Sequence, residues 1–364
     1  MNTEFQINLS KTFSTSLINW YEINKRDLPW RDTNNPYVIW LSEIILQQTR
    51  VQQGLPYFNK FLKTFPDIEA FANASEQDIL KLWQGLGYYS RARNMLVCAK
   101  EVVNEHNGQF PPDFNQLLKL KGIGKYTAAA IASFSFKQTV PVLDGNVFRV
   151  LSRIYGIEND ISETSSHKVF WNKAESLIPH QTPDKFNQAI MEFGALQCVP
   201  KSPNCNGCAF KTHCFAYKHG LQDVLPVKKK KVKKKIRHFN YFVIVHDDKV
   251  LVKERKTKDI WKGMYDFLLL ETPDEQGFDQ LMVNQAKFLS DLGNIVTSSS
   301  NFKHILTHQT IFAKFFVFSI DSRKDFGVIK RKFDLEEVET IALDTLPISR
   351  LMDKYLKKET NYLT

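Results

Sequence analysis

Apolar positions recur every three to four residues through most of the first 225 residues, a spacing that predicts amphipathic helices. Proline, glycine and asparagine, which end helices or form turns, separate these segments. The clearest predicted helical segments are residues 12–24, 36–52, 76–83, 92–105 and 127–135. This part of the chain is therefore predicted to be a helical domain, built as one body or as two lobes.

The pattern changes after residue 237 to short runs of β-branched and aromatic residues. Predicted strands cover residues 241–245, 250–253, 265–270 and 311–320, with a turn at 246–248. Runs of this length and composition are typical of strands rather than helices. Residues 238–364 are therefore predicted to form a separate α+β domain.

A basic segment separates the two patterns. Residues 227–237 read VKKKKVKKKIR and contain eight basic side chains, which predicts an interdomain linker over residues 226–237. A solvated tether and a direct contact with nucleic-acid phosphates both remain open for it. The whole chain has a net charge of +10, which indicates a polyanionic partner, with nucleic acid the first candidate.

Four of the five cysteines lie close together, as Cys198, Cys205, Cys208 and Cys214 in a C-x6-C-x2-C-x5-C pattern. No apolar signal segment is found at the N-terminus and no stretch is long enough to span a membrane, which predicts a cytoplasmic protein. In that reducing compartment such cysteines are metal ligands more often than disulfides. The spacing alone leaves structural zinc and an iron–sulfur cluster open, and His213 could replace one sulfur around zinc.

Two carboxylates are candidates for chemistry. Glu43 lies among apolar helical neighbours, so burial should raise its pKa and suit it to act as a general acid, unless it points out of the helix. Asp144 directly precedes a helical segment and is predicted to be its N-cap, which would leave one carboxylate oxygen free. About 100 residues separate the two in the sequence, and the sequence does not determine whether they meet.

Other segments suggest contact with nucleic acid. In LKGIGKYTA, Gly122 and Gly124 would let backbone N–H groups approach a phosphate at the start of a helix, although a purely structural turn is the alternative. Planar or amide side chains near turns could stack on bases or insert between them, although each is individually more typical of a core. These side chains are Trp30, Arg31, Gln47, Gln48, Tyr88 and Tyr89.

Six motifs in order resemble the adenine DNA glycosylases of the MutY type, within the helix-hairpin-helix glycosylase superfamily. They are WLSEIILQQTRV, GLGYYSRARN, LKGIGKYTA, VLDGNVFRV, FNQAIMEFGALQC and the four-cysteine loop. The resemblance spans nearly the whole chain. It implies a mainly α helix-hairpin-helix glycosylase fold of two helical lobes in residues 1–225, with an iron–sulfur loop at 198–214. It further implies the basic linker at 226–237 and an α+β Nudix-like domain at 238–364.

The resemblance also implies cofactors and catalytic roles. The cysteines would hold one [4Fe–4S] cluster, with no catalytic metal. Glu43 would protonate adenine at N7, and Asp144 would stabilise the oxocarbenium-like sugar, with Asn146 and Tyr126 in support. Tyr126 stands where relatives similar to endonuclease III place a Schiff-base lysine, which implies a monofunctional enzyme.

Further positions resemble family contacts to DNA. The implied adenine pocket comprises Arg26, Trp30, Arg31, Leu46 and Gln188, and the implied intercalating pair is Gln48 and Tyr88. The implied hairpin contains Gly122 and Gly124, and the implied lesion-reading loop is Leu306, Thr307 and His308. Two positions depart from the family pattern, because some relatives carry a glutamate at position 188 and a phenylalanine at position 306. Residues 238–364 contain no complete Nudix box, so Nudix-type hydrolysis is not expected.

The resemblance therefore implies a DNA repair glycosylase that removes adenine opposite 8-oxoguanine or guanine and leaves an abasic site. Its partner would be double-stranded DNA with that mispair, and the enzyme would be a nucleoid-associated cytoplasmic monomer without a membrane partner. Two alternatives remain. One is a bifunctional glycosylase and lyase similar to endonuclease III, and the other is a non-catalytic iron–sulfur DNA-binding protein.

Overall fold

The computed structural model describes residues 3–229, 234–257, 259–284 and 287–358. Its backbone forms two compact units, Met1–Asn73 with Val97–Lys230, and Ala74–Leu96 with Lys231–Thr364. Residues 230–233 of the predicted linker lie outside the described residues. Across the described ranges, no helix has the length and apolar character needed to cross a membrane.

Helices make up the regular structure of the N-terminal part of the chain. They are α1 (Thr3–Asn24), α2 (Pro36–Leu46), α3 (Val51–Thr64), α4 (Ile68–Ala72), α5 (Glu76–Trp83), α6 (Ser90–His106), α7 (Phe114–Leu117), α8 (Lys125–Phe136), α9 (Gly145–Tyr155), α10 (Thr164–Glu175), α11 (Pro183–Leu196) and α12 (Phe215–His219). The predicted helix over residues 36–52 is wrong in its last third. The chain leaves α2 after Leu46 and turns, with Gln48 in the left-handed region at φ 59°, before α3 begins. No glycine or proline occurs at this turn, so the apolar pattern continues across it and predicts one uninterrupted helix.

The packing of the helices brings together α2, α8, α9 and α11, which carry four of the motifs identified in the sequence. Helix α2 packs against α8, and α11 packs against α1, α8 and α9. Aromatic and aliphatic side chains such as Phe13, Leu17, Leu151 and Phe193 are buried where α1, α9 and α11 meet. Their removal from water contributes about 1.5–3 kcal/mol each. The core of this unit thus supports the helices that carry the candidate residues.

The LKGIGKYTA segment forms a hairpin between α7 and α8. Gly122 has φ 78°, a backbone conformation that favours glycine, and Ile123 N–H donates to the Leu120 carbonyl at 3.2 Å. Gly124 is the N-cap of α8 and has no side-chain cap, and the space where its side chain would project is open. The first backbone N–H groups of α8 are therefore accessible to a ligand.

The C-terminal part of the chain contains a mixed sheet with helices, which confirms the predicted α+β class. Its strands are β1 (Lys235–His246), β2 (Lys249–Glu254), β3 (Tyr265–Asp266), β4 (Leu268–Thr272), β5 (Asn294–Ser298), β6 (Phe302–Ile305), β7 (Gln309–Ser319) and β8 (Glu336–Glu339). The neighbouring strands run in the order β3-β2-β1-β7-β5, and β4 pairs with β1, β6 with β7 and β8 with β2. The central strands β1 and β7 are parallel, and the other pairs are antiparallel. The helices are α13 (Phe278–Asn284), α14 (Lys287–Ser290), α15 (Arg323–Phe333) and α16 (Arg350–Lys358).

Strand β1 begins inside the stretch predicted as a linker. Arg237 is 8% exposed, and its guanidinium pairs with Asp259 at 2.9 Å and Glu271 at 2.6 Å. A buried cation needs such partners, since an unpaired charge in a protein interior is costly. The last residues of the basic segment therefore belong to the sheet. The predicted strand over residues 265–270 is divided into β3 and β4, which pair with different neighbours.

Candidate active site

Glu43 is a buried carboxylate with a single close hydroxyl partner. It lies on α2 and is 8% exposed, and the Tyr126 hydroxyl from α8 donates to its Oε2 at 2.5 Å. Burial raises the pKa of Glu43 to about 7; the Tyr126 hydrogen bond opposes this rise, and the charge of Asp144 adds to it. The expectation that Glu43 points inward into poorly solvated surroundings is thus met. Near neutral pH a large fraction of its carboxyl groups carries a proton.

Asp144 is the N-cap of α9, as the sequence predicts. Its Oδ1 accepts hydrogen bonds from the backbone N–H groups of Asn146 at 2.9 Å and Val147 at 2.8 Å. The prediction that capping leaves the other oxygen free is wrong, because Oδ2 accepts from Asn146 Nδ2 at 2.7 Å. Burial raises the pKa of Asp144, while these hydrogen bonds and the charge of Arg149 favour its ionised form.

A close approach of two helices fixes Asn146. A Cβ atom added to Gly194 on α11 would lie 2.6 Å from the Asn146 Cβ, closer than such atoms approach in proteins. Glycine therefore lets α11 lie against the start of α9. This packing holds the amide of Asn146 beside Asp144.

A small cavity, partly open to solvent, lies at Glu43. It is lined by Trp30, Arg31, Ile39, Ser42, Glu43, Phe134, Gln188 and Met191. The structure therefore brings together the predicted residues Trp30, Arg31, Glu43 and Gln188. Arg26 and Leu46, both described, lie outside this lining. The lining combines four apolar side chains with four polar or charged ones, and convergent polar groups in an apolar setting are typical of a small-ligand site.

Glu192 forms ion pairs with two of the predicted arginines, and it was not among the residues predicted from the sequence. It is 1% exposed, and its Oε2 lies 2.6 Å from Arg26 Nη2 and 2.7 Å from Arg31 Nη2. Burial would raise the pKa of Glu192, but the hydrogen bonds from Arg26 and Arg31 lower it to about 2. The signal that identified Glu43, a lone carboxylate in an apolar helix, is also present here in AIMEFGAL.

Gln48 and Tyr88, the predicted intercalating residues, both adopt a backbone conformation that is unusual for residues other than glycine. Their φ angles are 59° and 51°, and such conformations cost of order 1–3 kcal/mol and often mark functional positions. Tyr88 is 39% exposed and is hydrogen-bonded to the hydroxyl of Thr307. Thr307 lies in the turn between β6 and β7, where Leu306 N–H donates to the Gln309 carbonyl at 2.8 Å. This turn also holds the predicted residue His308.

All four predicted metal-binding cysteines line one small cavity, whereas His213 is not part of its lining. Within the described ranges, no group of three or more His, Cys, Asp or Glu side chains converges on the position of one metal ion. Burial raises the pKa of Cys208 to about 11, so ionisation of this thiol needs a cationic partner. Four sulfur donors around one cavity, in an arrangement that does not converge on a single ion, fit an iron–sulfur cluster.

Two arginines of α9 hold the cysteine loop, and one of them, Arg149, also reaches Asn146 beside Asp144. Arg149 donates to the Cys198 carbonyl at 2.7 Å and to Asn146 Oδ1 at 2.8 Å. Arg153 donates to the Val199 carbonyl at 2.7 Å, and its Nη1 lies 3.5 Å from the Cys198 sulfur. The cysteine loop and the residue that supports Asp144 are thus parts of one hydrogen-bonded network.

Comparison with known proteins identifies two family domains. Residues 41–176 match the HhH-GPD superfamily base excision DNA repair proteins, and residues 240–358 match the NUDIX domain. An adenine DNA glycosylase of Buchnera aphidicola subsp. Baizongia pistaciae is 34% identical over 96% of this chain and 98% of its own length. The adenine DNA glycosylase of Homo sapiens is 40% identical over 58% of this chain and 41% of its own length.

Solved structures resemble the helical part. A thermostable thymine-DNA glycosylase is 30% identical, with a TM-score of 0.54 over 59% of this chain and 99% of its own. A trapped endonuclease III–DNA covalent intermediate has a TM-score of 0.52 over 61% of this chain and 100% of its own. At 19% identity, the second likeness concerns the fold alone.

Proposed function

The chain belongs to the MutY-type adenine DNA glycosylases of the helix-hairpin-helix superfamily, and we propose that it removes adenine paired with 8-oxoguanine, or with guanine, from duplex DNA. Adenine excision in base excision repair follows from the family. The observation that carries the excision chemistry is the combination of Glu43, which is buried and lines a cavity, with the half-buried Asp144, whose charge acts on Glu43. The cavity would receive the adenine after it is flipped out of the helix.

The two carboxyl groups are suited to different steps. Glu43, with a pKa of about 7, would donate its proton to N7 of adenine, so that the base leaves with the electrons of the bond between C1′ and N9. Asp144, held by hydrogen bonds that favour its carboxylate, would stabilise the positive charge that develops on the sugar. Water then adds to C1′ and loses a proton, which leaves an abasic site.

Tyr126 supports a monofunctional reaction. Burial raises the pKa of Tyr126 well above its usual value, so this side chain is a neutral phenol that holds Glu43 in place. None of the described residues that line the cavity carries an amine. A Schiff base with the sugar, and strand cleavage through it, would therefore lack a nucleophile.

Separate elements would hold the duplex and read the opposite base. The open start of α8 at Gly122 and Gly124 suits a backbone phosphate. Gln48 and Tyr88 would insert into the duplex, and the turn with Thr307 would read 8-oxoguanine, for which the hydrogen bond between Tyr88 and Thr307 gives support. Leu306 and His308 flank this hydroxyl in the sequence.

The cysteine cavity would hold one [4Fe–4S] cluster through Cys198, Cys205, Cys208 and Cys214. When bound, the cluster supplies a structural tether for the loop. The chemistry of base loss remains with the carboxyl groups, so no catalytic metal is needed. Arg149 would transmit the order of this loop to Asn146, and Arg153 would hold the loop at Val199.

The test is a single-turnover assay on a duplex with adenine opposite 8-oxoguanine. We expect Glu43→Gln to bind this duplex and release no adenine, because the proton donor is lost. Glu105→Gln, which replaces an exposed carboxylate on α6, should retain the rate of the unmodified enzyme. Adenine release by Glu43→Gln at the rate of the unmodified enzyme would remove Glu43 from its assigned role.

A further inference from the structure

The Gln188 amide has a donor end and an acceptor end, and only the acceptor end is held by the protein. The Tyr21 hydroxyl donates to Gln188 Oε1 at 2.6 Å, which joins α1 to α11. Gln188 lines the cavity beside Glu43. Among the described residues, no protein group forms a hydrogen bond with Gln188 Nε2.

The direction of this hydrogen bond follows from the chemistry of the two groups. Tyr21 is 4% exposed, and burial raises its pKa to about 12, so the phenol keeps its proton near neutral pH. A buried hydroxyl without an acceptor costs about 1–3 kcal/mol. If the amide turned over, its NH2 group would face the phenol and the phenol proton would lose its acceptor. The arrangement with Oε1 toward Tyr21 is therefore favoured.

The surroundings of Tyr21 limit its own movement. The Arg31 guanidinium lies 5.5 Å from the centre of the Tyr21 ring. Arg31 is in turn held by Glu192 at 2.7 Å. The phenol is thus packed against an ion pair that cannot move without leaving a buried charge unpaired.

We propose that Tyr21 is a positioning residue, which fixes Gln188 with its NH2 group toward the flipped adenine so that position 188 binds a ring nitrogen. This inference rests on the proposed function, in which the cavity receives the base. Adenine offers acceptors at its ring nitrogens and a donor at its 6-amino group. A glutamate at this position would offer only acceptors and would suit the amino group instead. Gln188 held by Tyr21 therefore binds a ring nitrogen of adenine, whereas a glutamate at this position would bind the 6-amino group.

A double-mutant cycle tests whether Tyr21 acts through Gln188. In the full-length protein, Tyr21→Phe should slow single-turnover excision of adenine opposite 8-oxoguanine by about three- to tenfold, the value of one hydrogen bond. Adding Tyr21→Phe to Gln188→Ala should cause no further loss. The matched control is Tyr37→Phe, which removes another buried phenol that donates to a backbone carbonyl, that of Phe65, at 2.5 Å. It should leave the excision rate unchanged.

The results separate the inference from the proposed function. A full additional loss in the double variant, or normal excision by Tyr21→Phe while Gln188→Ala is slow, would overturn the role of Tyr21. Normal excision by Gln188→Ala would overturn the contact between position 188 and the base, whereas only normal excision by Glu43→Gln would remove the cavity from its assigned role.

A second substrate tests the orientation itself. In Tyr21→Phe the released amide can turn and accept from the 6-amino group of adenine. A purine base without that group offers no such compensation. We therefore expect Tyr21→Phe to slow excision of this purine more than excision of adenine, and an equal loss on both bases would contradict the orientation role.

Discussion

Replacing Glu43 with glutamine should stabilise the folded protein at pH 8 while abolishing base excision. The pKa of Glu43 rises from 4.5 to about 7 on folding, mainly through burial. Each factor of ten in a protonation equilibrium is worth about 1.4 kcal/mol. Ionisation of Glu43 at pH 8 therefore costs the folded state about 3 kcal/mol. A glutamine keeps an acceptor for the Tyr126 hydroxyl without this cost.

The effect of Glu43 on the free energy of unfolding depends on pH in a defined direction. Between pH 4.5 and about 7, the folded state holds a proton on Glu43 that the unfolded chain has released. The free energy of unfolding therefore decreases as the pH rises through this window and stays low above it. The advantage of Glu43→Gln should be largest at pH 8 and should fall below about 1 kcal/mol at pH 5.

Thermal unfolding of the two proteins at pH 5 and pH 8 measures this effect. At pH 8 we expect the unfolding midpoint of Glu43→Gln to be higher by roughly 5–10 °C. Glu192→Gln is the matched control with the opposite sign, because hydrogen bonds from arginines hold the pKa of Glu192 at about 2. It should be less stable than the unmodified protein at both pH values. An equal stability of Glu43→Gln and the unmodified protein at pH 8, or an advantage independent of pH, would refute the reasoning.

Three further results are expected. The excision rate should fall about tenfold per pH unit above pH 7 as Glu43 loses its proton. Tyr126→Phe should move this fall to higher pH, because the hydrogen bond from the Tyr126 hydroxyl lowers the pKa of Glu43. Superimposable pH–rate profiles of the two proteins would contradict this. Asp144→Asn should lose excision and keep the capping oxygen, while its amide nitrogen faces Asn146 Nδ2 and loses that one hydrogen bond. Asp144→Ala should lose about 1 kcal/mol more stability because the cap is also removed, and equal stability of the two variants in urea unfolding would contradict this. Replacing the lysines of residues 228–235 with glutamine should flatten the salt dependence of DNA binding, and an unchanged slope would leave this segment a plain tether.

Local sequence patterns located five helical segments, because amphipathic spacing reports directly on the buried face. The segment 76–83 coincides with α5, and the segment 127–135 lies within α8. The turn at Gln48 was missed because its left-handed conformation is imposed by the surrounding helices on a residue that seldom adopts it. The start of β1 was missed because Lys235 and Arg237 continue the basic pattern of the linker, whereas Arg237 is held by carboxylates distant in the sequence.

The site itself could be predicted only in part. The apolar neighbours of Glu43 and the position of Asp144 before a helix indicated local properties that the structure bears out. The cavity depends on contacts between helices that are far apart in the sequence. The hydrogen bond between Tyr21 and Gln188, for example, joins residues 167 positions apart. Nothing in either local pattern indicates that partner.

The most direct test of the central claim is the fate of a duplex with adenine opposite 8-oxoguanine after one turnover. The account predicts that adenine is released, that the strand stays intact until alkali cleaves the abasic site, and that borohydride traps no covalent enzyme–DNA complex. Strand cleavage without alkali, together with efficient borohydride trapping, would contradict it.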